Sequence, residues 1–187
     1  KLENLDKKAW VDVVSDITVE LDSIRSELNF RNTKIVKLDV DRGDGSKDHE
    51  ITCRYYESPD AEKLDNKPTM VLFHGNMCVG DDMHKTALFY KNQGWNVLTV
   101  TMGGYPGSDE KVNTDEKTAI QDVARVLKHL EEEKGVKTIG VHGHSLGGAL
   151  AMHATQLSDK VAIVVADKTF DSGRGVAPNL TRNIAAK

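Results

Sequence analysis

A serine flanked by glycines is the clearest sign of chemistry in this sequence. It stands in Gly143-His144-Ser145-Leu146-Gly147, between a short apolar run and a stretch of small and apolar residues. That context predicts a sharp turn from a strand into a helix. In such a turn the serine backbone is strained and its Oγ projects above the sheet, and side chains at the two glycine positions would clash. Ser145 is therefore a candidate nucleophile for acyl transfer.

A second stretch could supply hydrogen-bond donors to the same reaction. His74-Gly75-Asn76 directly follows the apolar run at 69–73. The glycine lets the backbone approach a substrate, so the N–H of Asn76 can face the site. Together with the N–H of Leu146, at the predicted helix N-terminus, it would form an oxyanion hole. Losing one such donor typically costs roughly 3–4 kcal/mol of transition-state stabilisation.

Strand and helix patterns alternate from residue 69 onward. Short apolar runs predict buried strands at 69–73, 95–101, 138–142 and 161–166. Helical periodicity predicts helices at 82–92, 115–133 and 146–157. The alternation predicts an α/β fold with a mostly parallel sheet and helices on both faces. Since ligands sit beyond the carboxyl ends of such strands, the loops after residues 73, 101, 143 and 166 should face one site.

The first part of the chain follows a different pattern. Residues 34–40 and 49–57 alternate apolar and polar around a Gly/Asp turn, which predicts an antiparallel pair. Residues 4–28 have the periodicity of an extra N-terminal helix, and the polar stretch 60–68 is expected to be a linker. We therefore expect an N-terminal helical segment at 1–33 and a core domain at 34–187.

Three motifs, in this order and spacing, resemble the α/β-hydrolase superfamily: VLFHGN, GGYPGSD and GHSLGG. They are similar to its oxyanion loop, its glycine-rich turn and its nucleophile elbow, over about residues 34–170. The resemblance implies a serine hydrolase that forms an acyl-serine intermediate on an ester, thioester or amide of a small or lipid-like molecule. It implies Ser145 as the nucleophile, the N–H groups of Asn76 and Leu146 as oxyanion donors, and neither a metal nor an organic cofactor.

No histidine occupies the position in the sequence where the family carries its general base. The family order is serine, then an acid, then a histidine, yet the last histidine is His153, in the helix that follows Ser145. The earlier histidines are predicted to be surface, packing or loop-orienting residues, and His144 is expected to point away from the Ser145 Oγ toward neighbouring loops. Asp167, at the end of the last predicted strand, is a candidate acid. The alternative is that Asp167 only structures the loop that follows.

Two explanations fit the absent base. In the first, the chain is a fragment, its fold cut after the sixth strand, and a missing C-terminal segment or a second chain completes it. In the second, it is a naturally truncated relative that serves as a non-catalytic binding or interaction module on a hydrolase scaffold. We favour the first, because a parallel sheet ending there would leave an unpaired edge strand.

Composition and the remaining motifs exclude several classes of function. The formal net charge of -4 gives no basic face, so nucleic acid is not an expected partner. No apolar run is long enough for a membrane span, and no secretory signal is visible. Cys53 and Cys78 have no metal-ligand spacing and are expected to be free thiols, which makes a cytoplasmic location the default. A nucleotide-binding role is disfavoured, because neither GxGxxG nor GxxxxGK[ST] occurs.

Overall fold

Six strands form one sheet in the computed structural model, which describes residues 19–21, 23, 24, 26–43 and 48–169. The strands are β1 Lys34–Val40, β2 His49–Tyr56, β3 Thr69–Phe73, β4 Asn96–Thr101, β5 Ile139–His144 and β6 Val161–Asp167. Their order across the sheet is β1-β2-β4-β3-β5-β6. β2 is antiparallel to β1 and to β4, and all other neighbours are parallel. The predicted mostly parallel sheet with an antiparallel pair at its start is confirmed.

Four α-helices connect these strands: α1 Pro59–Glu62, α2 His84–Asn92, α3 Glu116–Lys128 and α4 Leu146–Leu157. A 3₁₀ turn precedes α2, and a π-helical turn at His129–Glu133 continues α3. Asp115 begins α3 by accepting the N–H of Thr118 at 2.8 Å, as an N-cap does. No helix in the described ranges is long and apolar enough to cross a membrane.

Two predicted boundaries need correction. The segment at 60–68 is not entirely a linker, because the short helix α1 occupies its start, with Pro59 in the first turn, where a missing N–H costs nothing. The helix predicted at 115–133 is α-helical only to Lys128. Periodicity alone does not separate a π-helical turn from the helix it continues.

The chain divides into two units, Lys1–Thr33 and Lys34–Lys187. In the first, the described residues between 19 and 31 are helical, and Arg31 pairs with Glu27 one turn earlier. The predicted helix at 4–28 is thus seen in its last part, where it runs on to residue 31. Residues 4–18, 22 and 25 of that prediction lie outside the described residues.

Both faces of the sheet of the second unit are buried at its central strands, β3 and β4. The prediction that residues 161–166 form a buried strand is wrong in its burial, because β6 lies at the edge of the sheet and is mostly exposed in the described structure. Along β3, Val71 and Phe73 join a large cluster that includes residues of α3 and α4. Met70 and Leu72 point the other way, into a second cluster that includes Ala87 of α2. Because successive side chains of a strand face opposite sides, this alternation places helices on both faces, as predicted.

A buried histidine–carboxylate pair lies on the same side of the sheet as the larger cluster. His49, the first residue of β2, places Nε2 2.6 Å from Oδ1 of Asp122 on α3, and both side chains are fully buried. The other oxygen of Asp122 accepts the N–H of Gly103 at 2.9 Å. Burial raises the pKa of Asp122, while both donors favour its ionised form. The pair therefore ties α3 and β2 to the loop that follows β4.

Replacing Asp122 by alanine should destabilise the protein strongly. His49 Nε2 and the Gly103 N–H would both be left buried without a partner, which costs roughly 3–5 kcal/mol. The free energy of unfolding from urea titrations measures this. Asp60→Ala is the matched control, since Asp60 is paired with Lys63 at the surface and such pairs contribute less than about 1 kcal/mol. Equal losses in the two variants would contradict the prediction.

Candidate active site

The turn at Ser145 has the geometry that the sequence predicts. Ser145 lies between β5 and α4 with φ 53° and ψ −114°, a strained conformation for a residue other than glycine, and its hydroxyl does not cap the helix. A Cβ at Gly143 would come within 1.8 Å of the Gly147 carbonyl oxygen, and one at Gly147 within 2.1 Å of the Phe73 oxygen. Glycine is therefore required on both sides of Ser145.

The loop after β6 holds the main chain of this turn. The N–H of Ser145 donates to the Asp167 carbonyl oxygen at 2.9 Å. The Thr169 hydroxyl donates to the Ser145 carbonyl oxygen at 2.7 Å. A Cβ at Gly148 would lie 2.5 Å from the Thr169 side chain, so the loop packs directly on the start of α4. The backbone of Ser145 is thus held at both polar groups, independently of its Oγ.

His144 and Asp167 form a second contact between the turn and this loop. Nδ1 of His144 lies 3.0 Å from Oδ2 of Asp167. The other side of the ring contacts Gly75, where a Cβ would meet Cδ2 at 3.1 Å. His144 therefore lies between the loops after β3 and β6, as expected. Its hydrogen bond lowers the pKa of Asp167, which keeps that carboxyl group ionised at neutral pH.

His74 orients the start of the loop after β3. It is buried, with Nδ1 2.8 Å from the Gly75 carbonyl oxygen and Nε2 3.3 Å from the Met102 nitrogen. The carbonyl can only accept and the Met102 N–H can only donate. These partners therefore assign the proton to Nδ1 and require a neutral ring. Burial lowers the pKa of His74, which favours the same state.

The Asn76 side chain folds back onto its own loop. Its Oδ1 accepts the Met77 N–H and the Tyr105 hydroxyl, each at 3.0 Å. Met77 has φ 63°, and the residue is 92% exposed. A Cβ at Gly75 would lie 3.5 Å from the Cβ of Ser145, so the loop packs next to this candidate nucleophile.

The two predicted oxyanion donors remain available. Within the part of the chain that the structure describes, the N–H groups of Asn76 and Leu146 have no hydrogen-bond acceptor. Leu146 is the first residue of α4, where backbone N–H groups and the helix dipole both favour an anion. The arrangement can therefore accept developing negative charge next to Ser145.

All seven histidines lie among the described residues, and each contacts another group. The partners are Asp122 for His49, Gly75 for His74, Tyr56 for His84, Glu133 for His129, Tyr90 for His142, Asp167 for His144 and Glu116 for His153. In the described ranges, none of the rings is hydrogen-bonded to the Ser145 hydroxyl. The described structure thus brings Ser145 near the two candidate donor N–H groups, with no histidine bonded to its hydroxyl.

Metal-ligating and thiol side chains are dispersed. Outside the undescribed segments, no group of three or more His, Cys, Asp or Glu residues is arranged to hold a metal ion. Cys53 and Cys78 are free thiols, as predicted. Cys53 is buried, which raises its pKa and disfavours the reactive thiolate.

Two residues that contact the loops of the site, Tyr105 and Asp122, were not predicted from the sequence. Tyr105 lies in the glycine-rich loop, but nothing in that motif shows that its hydroxyl reaches Asn76. Asp122 did leave a signal, since it is an acidic residue between Ala119 and Val123, on the apolar side of α3. A charge in a buried stripe requires a buried partner, which here is His49.

The model of the family described as "alpha/beta hydrolase fold" matches residues 68–185. No curated protein sequence matches significantly. Solved structures with a similar fold include the esterase Pf2001 of Pyrococcus furiosus, at 20% identity and TM-score 0.69, over 83% of this chain and 59% of that chain. An alpha-beta hydrolase of Vibrio vulnificus matches at 23% identity and TM-score 0.61, over 83% and 51%. A variant epoxide hydrolase of Vigna radiata matches at 14% identity and TM-score 0.53, over 71% and 38%.

The chain therefore spans just under three fifths of the Pf2001 esterase. At these identities the likeness concerns the fold alone. The six-stranded sheet and its helices agree with that fold.

Acid should weaken the fold through His74. Its pKa is lowered in the fold, so it contributes stability that is fully present above the unfolded pKa of about 6.5 and is lost as the pH falls below that value. A His74→Gln variant does not titrate here. We expect the wild type to lose more free energy of unfolding than this variant between about pH 7.5 and about pH 5.5.

Urea titrations at both pH values measure this difference. The comparison is needed because burial also lowers the pKa of His142, which adds the same trend to both proteins. An identical pH dependence in the two proteins would contradict the assignment.

Proposed function

Because the chain belongs to the alpha/beta hydrolase family, we propose that it is a serine hydrolase acting on a carboxylic ester, thioester or amide bond. The observation that carries the proposal is the strained Ser145 at the start of α4, beside two backbone N–H groups with no acceptor in the described structure. Strained backbone conformations persist where the surrounding structure holds them and are concentrated at functional sites.

The proposed reaction uses this geometry. Ser145 Oγ attacks the substrate carbonyl carbon and gives its proton to a general base, and the carbonyl oxygen becomes an oxyanion. The N–H groups of Asn76 and Leu146 stabilise that charge. Collapse of the intermediate expels the alcohol, thiol or amine, which receives the proton, and leaves an acyl group on Oγ. Water then attacks the acyl-serine and releases the carboxylic acid.

The general base is assigned to none of the seven histidines described above. We propose that a further segment or chain supplies it, in keeping with the partial span of the solved esterase. Asp167 remains the candidate acid: it lies at the carboxyl end of β6, next to Ser145, and is held ionised. In the structure its Oδ2 is occupied by His144, so orienting another histidine would use its second oxygen or displace that ring.

The substrate class rests on the site rather than on the fold. Structures with this fold include an esterase and an epoxide hydrolase, so the fold does not select the bond that is cleaved. A serine nucleophile beside oxyanion donors selects an acyl group.

An active-site-directed fluorophosphonate should label the full-length protein once, on Ser145. The phosphorus takes the position of the substrate carbonyl carbon, and fluoride leaves. Intact mass spectrometry should show a single adduct, and peptide mapping should place it on Ser145. The Ser145→Ala variant should show no adduct.

Ser158→Ala is the matched control, because Ser158 lies at the opposite end of α4, where its hydroxyl contacts Glu131. This variant should be labelled like the wild type. An unlabelled wild-type protein would defeat the hydrolase proposal and leave the binding or interaction module as the better account.

A further inference from the structure

We infer that Tyr105 is a positioning residue for the oxyanion hole, acting through the Asn76 side chain. The inference rests on the proposed function of Ser145 and goes beyond it, because it assigns a role to the glycine-rich loop after β4. Tyr105 need not touch the substrate. Its hydroxyl holds in place Asn76, the residue whose N–H would donate to the oxyanion.

The first step is the shared acceptor. Oδ1 of Asn76 accepts from the Tyr105 hydroxyl and from the Met77 N–H, each at 3.0 Å. Two donors from different loops hold the carboxamide oxygen, and the short side chain in turn restrains the Asn76 backbone. The adjacent φ of 63° at Met77 is unfavourable for a residue other than glycine, so this loop conformation needs such support.

The second step is that Tyr105 is itself held rigidly. Its ring packs edge-on against His74, with the ring centroids 4.6 Å apart and the planes at 71°. Its backbone N–H donates to the Met102 carbonyl oxygen, and its carbonyl oxygen accepts the Ser108 N–H. Burial raises the pKa of Tyr105, so the phenol keeps its donor proton at neutral pH.

The third step connects Tyr105 to the core. Gly103, two residues earlier, donates its N–H to the buried carboxylate of Asp122. A Cβ at Gly103 would lie only 2.8 Å from the His49 ring, so the loop is seated against the buried pair. A continuous series of contacts therefore runs from the core through Tyr105 to Asn76. The hydroxyl–carboxamide bond is its last step before the reaction site.

The test uses Tyr105→Phe, which keeps the ring against His74 and removes only the hydroxyl. Tyr90→Phe is the matched control: the Tyr90 hydroxyl also makes a 3.0 Å hydrogen bond, to His142 Nδ1. In ¹H–¹⁵N NMR spectra, Tyr105→Phe should shift or broaden the backbone amide signals of Asn76 and Met77. The control should leave both signals unchanged. Unchanged Asn76 and Met77 signals in Tyr105→Phe would overturn the inference.

Fluorophosphonate kinetics then test the consequence for the reaction. Tyr105→Phe should lower the maximal labelling rate of Ser145 about tenfold, because a misplaced donor stabilises the oxyanion less, with little change in the inhibitor concentration for half-maximal rate. A double-mutant cycle with Asn76→Ala sharpens this test. If Tyr105 acts through the Asn76 side chain, the double variant should be no slower than Asn76→Ala alone. Multiplied losses would overturn the inference.

The NMR comparison and the labelling kinetics distinguish failure of the hydrolase proposal from failure of the role inferred for Tyr105. An unlabelled wild type defeats the serine hydrolase proposal, and the NMR comparison still decides whether Tyr105 holds the loop. A labelled wild type with an unchanged rate in Tyr105→Phe retains the hydrolase proposal and defeats the positioning role.

Discussion

The close approach of β3, β5 and α4, with no room for a side chain between them, is the constraint on which the rest of the site depends. A Cβ at Gly147 would lie 2.1 Å from the carbonyl oxygen of Phe73 and 2.7 Å from that of His74. Only glycine allows the helix to begin this near the end of the neighbouring strand. The same proximity brings the loop after β3 against Ser145, and it places the helix N-terminus at the site.

A second constraint comes from the end of β4 and the residues just after it, which support the loop after β3. That loop contacts it at three points: His74 accepts from Met102, Gly80 donates to Thr101, and Asn76 accepts from Tyr105. β4 can serve in this way because it lies between β2 and β3 in the sheet. The buried His49–Asp122 pair is connected to this loop through the Gly103 N–H and, two residues later, the Tyr105 hydroxyl.

Sequence patterns predicted the features that depend on consecutive residues, namely strands and turns. They did not predict contacts between residues that are distant in the sequence. Strands with the observed bounds were predicted from the alternation of residues 34–40 and from the apolar run 69–73. This succeeded because the hydrophobic pattern of a strand is visible in consecutive residues. The turn at Ser145 was found for the same reason. Two hydrogen bonds, His49 with Asp122 and Tyr105 with Asn76, depend on the order of the strands in the sheet. A local hydrophobic pattern does not reveal that order. The family order of catalytic residues gave no histidine to predict as the base.

Backbone strain is distributed unevenly in this fold. Among the described residues, four other than glycine have positive φ, and three of them, Met77, Ser145 and Lys168, lie in the loops and turn around the proposed site. Each such residue costs on the order of 1–3 kcal/mol, which neighbouring contacts must offset. Selection for heat resistance and selection for turnover would therefore act on the same three positions in opposite directions. A thermostabilised form of this protein would more safely be sought in its helices than at this edge of the sheet.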